Sequence, residues 1–304
     1  MDLVIIGGGP AGMSAGIYAS LLGLDFIILE AEEPGGLTNQ AKSIENFLGF
    51  RGKSGKAIIE TFLSDLARQG VEIKCPDPVN DVDLIPEVKT VKTVAGEYQA
   101  KTVILATGTR FLGLSKTMGI EGEKEFLGKG LSYCPECDGP LFKGKDVMVI
   151  GSAYDAFFMK GLAGKTYYLG PIPEKEEKQI SRELIKANEI DYLEGKIEKI
   201  EGKGFLERVI VNGKSIPLEG LFITSREVGS ELFKKVGIET DEEGYIEVDR
   251  RMKTSISGVF AAGDITGEPW QIAKSLGEGA TAALSVYHFL TGKAMHDLGW
   301  SLMK

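Results

Sequence analysis

The chain has 304 residues, enough for two domains of ordinary size, and is 43% hydrophobic and 26% charged, a globular composition. Its 44 acidic against 35 basic residues leave a net charge of −9, which argues against nucleic acid as a partner, because phosphate binding needs a basic surface. No apolar run approaches the roughly 20 residues of a membrane span, and Met1 leads at once into a strand pattern, with three cysteines in the whole chain. The expectation is a cytoplasmic protein without a signal peptide or membrane partner, in which a dithiol is catalytic rather than structural.

Leu3-Val4-Ile5-Ile6 reads as a strand, Gly7 to Gly12 as a tight turn, Met13 to Leu22 as a helix, and Phe26 to Leu29 as a second strand closed by Glu30. Residues 55–70 have the pattern of an amphipathic helix, with Ile58, Ile59, Phe62, Leu63 and Leu66 on one face. Val103 to Ala106 is a further strand, ending in Thr107-Gly108-Thr109. A second strand–turn–helix unit starts at Val147-Met148-Val149-Ile150 and Gly151, with a return strand from Thr166 to Leu169. A charged helix is predicted over 174–188 and short strands follow to about Thr224; from Gly244 come a strand, a Gly263-Asp264 turn and a helix over 274–290. The predicted fold class is α/β, with two Rossmann-like nucleotide-binding domains, the second inserted into the first. The joints are expected near residues 111 and 242, giving 1–111 with 242–304 as one discontinuous domain and 112–241 as the smaller insert.

Gly7-Gly8-Gly9-Pro10-Ala11-Gly12 satisfies Gly-x-Gly-x-x-Gly after a strand and at the opening of a helix, the context the motif requires. Gly7 serves the tight turn, Gly9 the close approach of a pyrophosphate, and Gly12 helix–strand packing. The helix N-terminus offers N–H groups and positive dipole to phosphate. Glu30, 18 residues past Gly12, is placed to accept ribose hydroxyls. The motif alone does not separate FAD from NAD; three further segments favour FAD. They are Gly35-Gly36-Leu37-Thr38 with Glu45-Asn46, then Ala106-Thr107-Gly108-Thr109, and finally Ala261-Ala262-Gly263-Asp264 with Gln271-Ile272-Ala273.

Cys134-Pro135-Glu136-Cys137-Asp138 lies between the two nucleotide units. Two cysteines at this spacing share one turn, so that one attacks a disulfide and the other resolves the mixed intermediate, while Asp138 is placed to move the proton. As half of a zinc site the pair would need two more ligands, and Cys75, His288 and His296 do not stand at ligand spacing, so no metal is expected. Cys75 reads as a bystander.

Over nearly its full length the chain resembles the low-molecular-weight thioredoxin reductases. The resemblance implies FAD on the segments above, with Asp264 on the ribityl chain and Gln271-Ile272-Ala273 near the flavin ring. It also implies a homodimer, a second domain that rotates to alternate access to the flavin, and a thioredoxin-like partner. Cys137 would face the flavin, Cys134 would attack the partner, and Asp138 would act as general acid.

At the second turn, Gly151-Ser152-Ala153-Tyr154-Asp155-Ala156, the middle glycine is replaced by Ala153, whose methyl would crowd a pyrophosphate. The family usually carries an Arg-rich stretch after the return strand to hold the NADP 2′-phosphate; here no Arg occurs between Arg110 and Arg182, and Glu174 to Lys178 reads as a solvated mixed-charge run. The expected electron donor is therefore not NADPH. The resemblance offers reduced ferredoxin or a reduced deazaflavin in its place, with Lys42, Arg51, Lys53 and Lys56 either a docking patch for an acidic ferredoxin or a solvated loop. The alternatives are an NAD(P)H-dependent reductase with unorthodox binding, a ferredoxin–NADP reductase of related type, which the Cys-x-x-Cys speaks against, and a flavin-bound redox sensor without donor activity. Trp270, just before Gln271, is a candidate neighbour of the flavin ring. Trp300 in the tail is open to a flavin face or a dimer contact, with plain packing preferred.

Overall fold

The computed structural model describes residues 1–114, 118–120 and 122–293, so the predictions for His296 and Trp300 fall outside the described residues. The chain divides into two compact units, Met1–Arg110 with Val228–Lys304, and Phe111–Glu227. The joint expected near 242 thus falls at Val228. Residues 228–241 belong to the first unit because Phe233 and Ile238 are buried in its core, with Leu232 and Val236 packed against it.

Each unit is built on a five-stranded parallel sheet. In the first, Leu3–Ile6 is central, flanked by Phe26–Leu29 and Ile73–Lys74 on one side and by Thr102–Leu105 and Val259–Ala261 on the other. In the second, Asp146–Ile150 is central, with Lys165–Leu169 and Asp191–Leu193 to one side and Gly220–Ile223 and Leu131–Ser132 to the other. Each unit adds a three-stranded antiparallel meander, Val79–Asp83, Lys89–Thr93 and Glu97–Ala100 in the first and Ile197–Glu201, Arg208–Val211 and Lys214–Pro217 in the second. The repeat is permuted at one edge: the outer strand follows the rest of its sheet in the first unit and precedes it in the second.

The central strands are apolar at every position from Leu3 to Ile6 and from Val147 to Ile150, and all of these residues are buried. A strand covered on both faces has no polar side to alternate with, and each such side chain contributes about 1.5–3 kcal/mol on leaving water. The two faces of the first sheet are filled by separate clusters, Leu3, Ile5, Ile28 and Ile104 facing one way and Val4, Ile6, Leu29 and Val103 the other. Among the described residues no helix is long and apolar enough to cross a membrane.

Helix boundaries differ most from the sequence expectation at two places. The first helix runs Pro10–Leu21, three residues earlier than predicted, because proline at the first helical position presets the backbone and needs no N–H there. The predicted helix over 174–188 is two short ones, Glu174–Glu177 and Arg182–Ala187, the second restarted by Ser181, whose hydroxyl accepts the Leu184 N–H at 3.2 Å.

Candidate functional site

The first glycine turn is assembled by backbone contacts that only glycine permits. Gly7 has φ +114°, and a Cβ there would lie 2.2 Å from the Ala106 carbonyl oxygen at the end of the neighbouring strand. A Cβ on Gly12 would lie 1.9 Å from the Gly7 carbonyl oxygen, so the helix can pack down on the strand only without one. Gly9 is different: its missing Cβ would meet no protein atom within 4 Å. This is open space directly at the helix N-terminus, where no side chain caps the first turn, and it fits a phosphate-bearing cofactor.

The other predicted cofactor residues converge on this turn within the first unit. The Gly35 N–H donates to the Gly8 carbonyl at 2.8 Å, and a Cβ on Gly36 would come to 3.9 Å from the Gly9 Cα, so Gly36-Leu37-Thr38 border the turn. The Glu30 carboxylate accepts the Gly8 N–H at 2.7 Å and the Glu32 N–H at 2.9 Å, fixing it beside the turn. Asn46 donates its amide to the Gln271 side-chain oxygen at 2.8 Å, joining two predicted residues that lie far apart in sequence. Ile272 and Ala273 open the long helix Ile272–Thr291, and Gly279 of that helix passes so close to Ala11 that a Cβ would lie 2.1 Å from the Ala11 carbonyl oxygen. A Cβ on Gly263 would lie 2.9 Å from that of Ala11, which brings the Gly263-Asp264 turn against the first helix, and Ser275 donates to the Asp264 carboxylate at 3.3 Å. Thr107 donates to the Gly229 carbonyl at 3.3 Å, and Gly108 is left-handed with open space at its missing Cβ. Trp270 lies against Tyr245, ring centroids 6.3 Å apart.

The sequence reading missed what holds the Gly263 turn. Glu278 accepts the Gly263 N–H at 2.8 Å, while the Lys274 ammonium donates to the Gly263 carbonyl at 3.0 Å and to Glu278 at 3.0 Å. The signal was present as an i, i+4 Lys–Glu pair on one helix face.

The dithiol turn lies in the second unit. Cys134 and Cys137 form a disulfide, and both are half-buried. Cys134 precedes the single helical turn Pro135–Asp138, and its Sγ accepts the Cys137 N–H at 3.2 Å. A donor aimed at Sγ favours a thiolate there once the pair is reduced. Ser132, which is buried and was not anticipated, links the turn: its hydroxyl donates to the Asp138 carboxylate at 2.6 Å and accepts the Cys134 N–H at 3.1 Å. Burial pushes the Asp138 carboxyl up from its ordinary value, and the Ser132 hydrogen bond partly opposes this. The preceding Tyr133 donates to Glu123 at 2.6 Å and stacks on Phe111, whose other neighbour is the Arg226 guanidinium at 4.4 Å. Cys75 sits in the first unit, its thiol donating to the Glu32 carbonyl at 2.8 Å.

The second glycine turn keeps the backbone form of the first, with Gly151 at φ +113° and the helix Ala153–Lys160 behind it. Two of its N–H donors, however, are engaged. The Ser152 N–H bonds Thr224 Oγ1 at 2.9 Å, and the Ala153 N–H bonds Glu176 Oε2 at 2.7 Å. Glu176, read from the sequence as part of a solvated run, is only 2% exposed. Asp155, two residues after Ala153 in the same helix turn, has its carboxyl pushed up to about 6, first by burial and then by the Glu136 and Glu176 charges, against the Thr224 hydrogen bond and Arg226. Of the basic candidates for a docking patch, Arg51 pairs with Glu45 at 3.2 Å on an exposed loop.

Residues 1–279 match a family model described as pyridine nucleotide-disulphide oxidoreductase. The chain is 33% identical to a thioredoxin reductase of Bacillus subtilis, over 95% of this chain and 94% of that protein. Among solved structures, a thioredoxin reductase from Streptococcus pyogenes is 30% identical with a TM-score of 0.84, covering 96% of this chain and 98% of its own. A ferredoxin-flavin thioredoxin reductase from Clostridium acetobutylicum is 33% identical with a TM-score of 0.54, covering 96% and 97% respectively.

Proposed function

Because the chain belongs to the pyridine nucleotide-disulphide oxidoreductase family and is an FAD-dependent disulfide oxidoreductase of thioredoxin reductase type, we propose that Cys134 and Cys137 pass electrons to a thioredoxin-like protein and that the donor is not NADPH. The observation that carries this reading is the Cys134–Cys137 disulfide, set in one turn with Ser132 and Asp138 hydrogen-bonded around it. FAD, when bound, supplies the two-electron reservoir. Gly7, Gly9, Pro10, Ala11, Gly12 and Glu30 hold its pyrophosphate and ribose end. Gly36, Leu37, Thr38, Asn46, Thr107, Gly108, Gly263, Asp264, Gln271, Ile272 and Ala273 line the rest.

Once reduced, the pair works by thiol–disulfide exchange. The Cys134 thiolate attacks a partner disulfide, forming a mixed disulfide and releasing one partner thiolate. The Cys137 thiolate then attacks Cys134 Sγ, which re-forms the 134–137 bond and releases the second partner thiolate. Asp138, whose carboxyl holds its proton to a higher pH than an exposed aspartate, delivers a proton to a leaving thiolate. Cys134 is assigned the attack because it receives the Cys137 N–H, and Cys137 is the resolving thiol.

The departures at the second turn support a donor other than NADPH: Ala153 in place of glycine and no Arg between Arg110 and Arg182. The likeness to a ferredoxin-flavin thioredoxin reductase supports reduced ferredoxin over a reduced deazaflavin. The working form is a cytoplasmic homodimer.

The test is a single-turnover assay with chemically reduced protein and a thioredoxin disulfide. Cys134→Ser should lose reduction by about a thousandfold or more, as expected when a nucleophile is removed, while keeping its yellow colour. Wild-type turnover by that variant would sink the assignment. Supplying reduced ferredoxin and reduced deazaflavin separately, and timing flavin bleaching, ranks the two donors.

A further inference from the structure

The second glycine turn carries a negative charge of its own. Glu176 Oε2 stands 2.7 Å from the Ala153 N–H, the backbone position that corresponds to Gly9 in the first turn. In dinucleotide-binding units the pyrophosphate takes the N–H groups of this turn. A buried carboxylate hydrogen-bonded to one of them is a chemical substitute for a phosphate oxygen: same charge sign, same acceptor, same donor.

The placement is built rather than incidental. Ile172 and Ile180, four residues before and four after Glu176, are both buried in the core of this unit beside Ala153, Ala156 and Tyr168. They pin the short helix Glu174–Glu177 against the sheet, and the Pro173 carbonyl accepts the Glu176 N–H at 2.8 Å. The Tyr168 hydroxyl is within hydrogen-bond distance of the Gly151 carbonyl at 2.8 Å and the Pro171 carbonyl at 2.9 Å, tying the glycine turn to the loop that delivers Glu176. Asp155 feels the Glu136 and Glu176 charges, opposed by Arg226, so Glu176 is one of several acidic groups at a turn where a dinucleotide would place its phosphates.

We propose that Glu176 is the specificity-determining residue of the second domain, an internal carboxylate that occupies the phosphate position and excludes pyridine nucleotides. The inference rests on the reading that the donor is not NADPH and names the residue that enforces it. Glu176 does so by taking the Ala153 donor and by placing its charge where the pyrophosphate charge would lie.

The experiment uses FAD-loaded wild type, Glu176→Ala and Glu176→Gln, with inorganic pyrophosphate and NADPH titrated calorimetrically, and with flavin content and Tm as checks on folding. Glu176→Ala should bind pyrophosphate at least about tenfold more tightly than wild type, about 1.4 kcal/mol. Glu176→Gln, which keeps an acceptor for the Ala153 N–H but loses the charge, should gain less, and it decides the matter if the alanine variant does not fold. Wild-type affinity in a folded, yellow variant overturns the role of Glu176, and the donor reading survives if wild-type flavin stays oxidised with NADPH. Rapid bleaching of wild type by NADPH overturns the donor reading, whatever the variants bind.

Discussion

At the first glycine turn the Cβ that Gly9 lacks would point into open space, whereas at the second the Ala153 methyl is fully buried and its N–H is held by Glu176. The two turns share a strand, a left-handed leading glycine and a helix. They differ in what lies over the helix N-terminus. In the first, the nearby acid is Glu30, which bonds the Gly8 and Glu32 N–H groups at the strand end and leaves the Gly9 position clear. In the second, the acid comes from a short helix beyond the return strand and bonds the N–H of the corresponding position itself. The same strand–turn–helix form therefore leaves the Gly9 position clear in one unit and has the corresponding N–H taken by a carboxylate in the other, depending on where a single acid is delivered.

The largest expected effect breaks the first turn. Gly12→Ala puts a methyl 1.9 Å from a backbone oxygen, and should destabilise the protein by about 3 kcal/mol or more and strip it of flavin; denaturant unfolding and flavin content measure both. Gly9→Ala separates binding from folding. Its methyl meets no protein atom, so the Tm of the flavin-free protein should stay near wild type while FAD affinity falls about 10–100-fold through crowding of the pyrophosphate. The mirror substitution, Ala153→Gly, should do the reverse: a loss of about 1 kcal/mol from the buried methyl and the looser backbone, with flavin content unchanged.

A smaller effect reads the charge around the second turn. Folding raises the Asp155 carboxyl from an ordinary value of 3.8 to about 6, so the native state holds a proton that the unfolded chain releases between those values. The stabilising contribution is complete below pH 4 and is lost as pH rises to 6, about 1–3 kcal/mol in all. Asp155→Asn should flatten the stability profile across that window. An unchanged slope would mean that Asp155 is not the group responsible.

Much of the first turn was legible because its residues act through short-range backbone rules: the glycine spacing, the strand before it, the helix after it and Glu30 at the next strand end all lie within Leu3 to Glu30. The meeting of Asn46 with Gln271 was foreseen only in that both belonged to the same resemblance; their hydrogen bond depends on the fold returning the chain to its own N-terminal sheet. Glu176 was misread because the run Glu174 to Lys178 is judged by composition, and composition says solvent. Its flanking Ile172 and Ile180 carried the opposite message: Ile180 follows Glu176 at helical spacing, Ile172 precedes the helix, and the two buried isoleucines take the glutamate into the core with them. The boundary near 242 failed for a similar reason. Phe233 and Ile238 have no local mark of which sheet they cover; only the assembled core assigns them.

The central claim is that one turn holds its nucleotide and the other is closed by the chain itself. The most direct measurement follows flavin absorbance of the anaerobic, FAD-loaded protein as NADPH is added at micromolar concentration. The account predicts that the flavin stays oxidised with NADPH and bleaches with reduced ferredoxin; rapid bleaching by NADPH would contradict it.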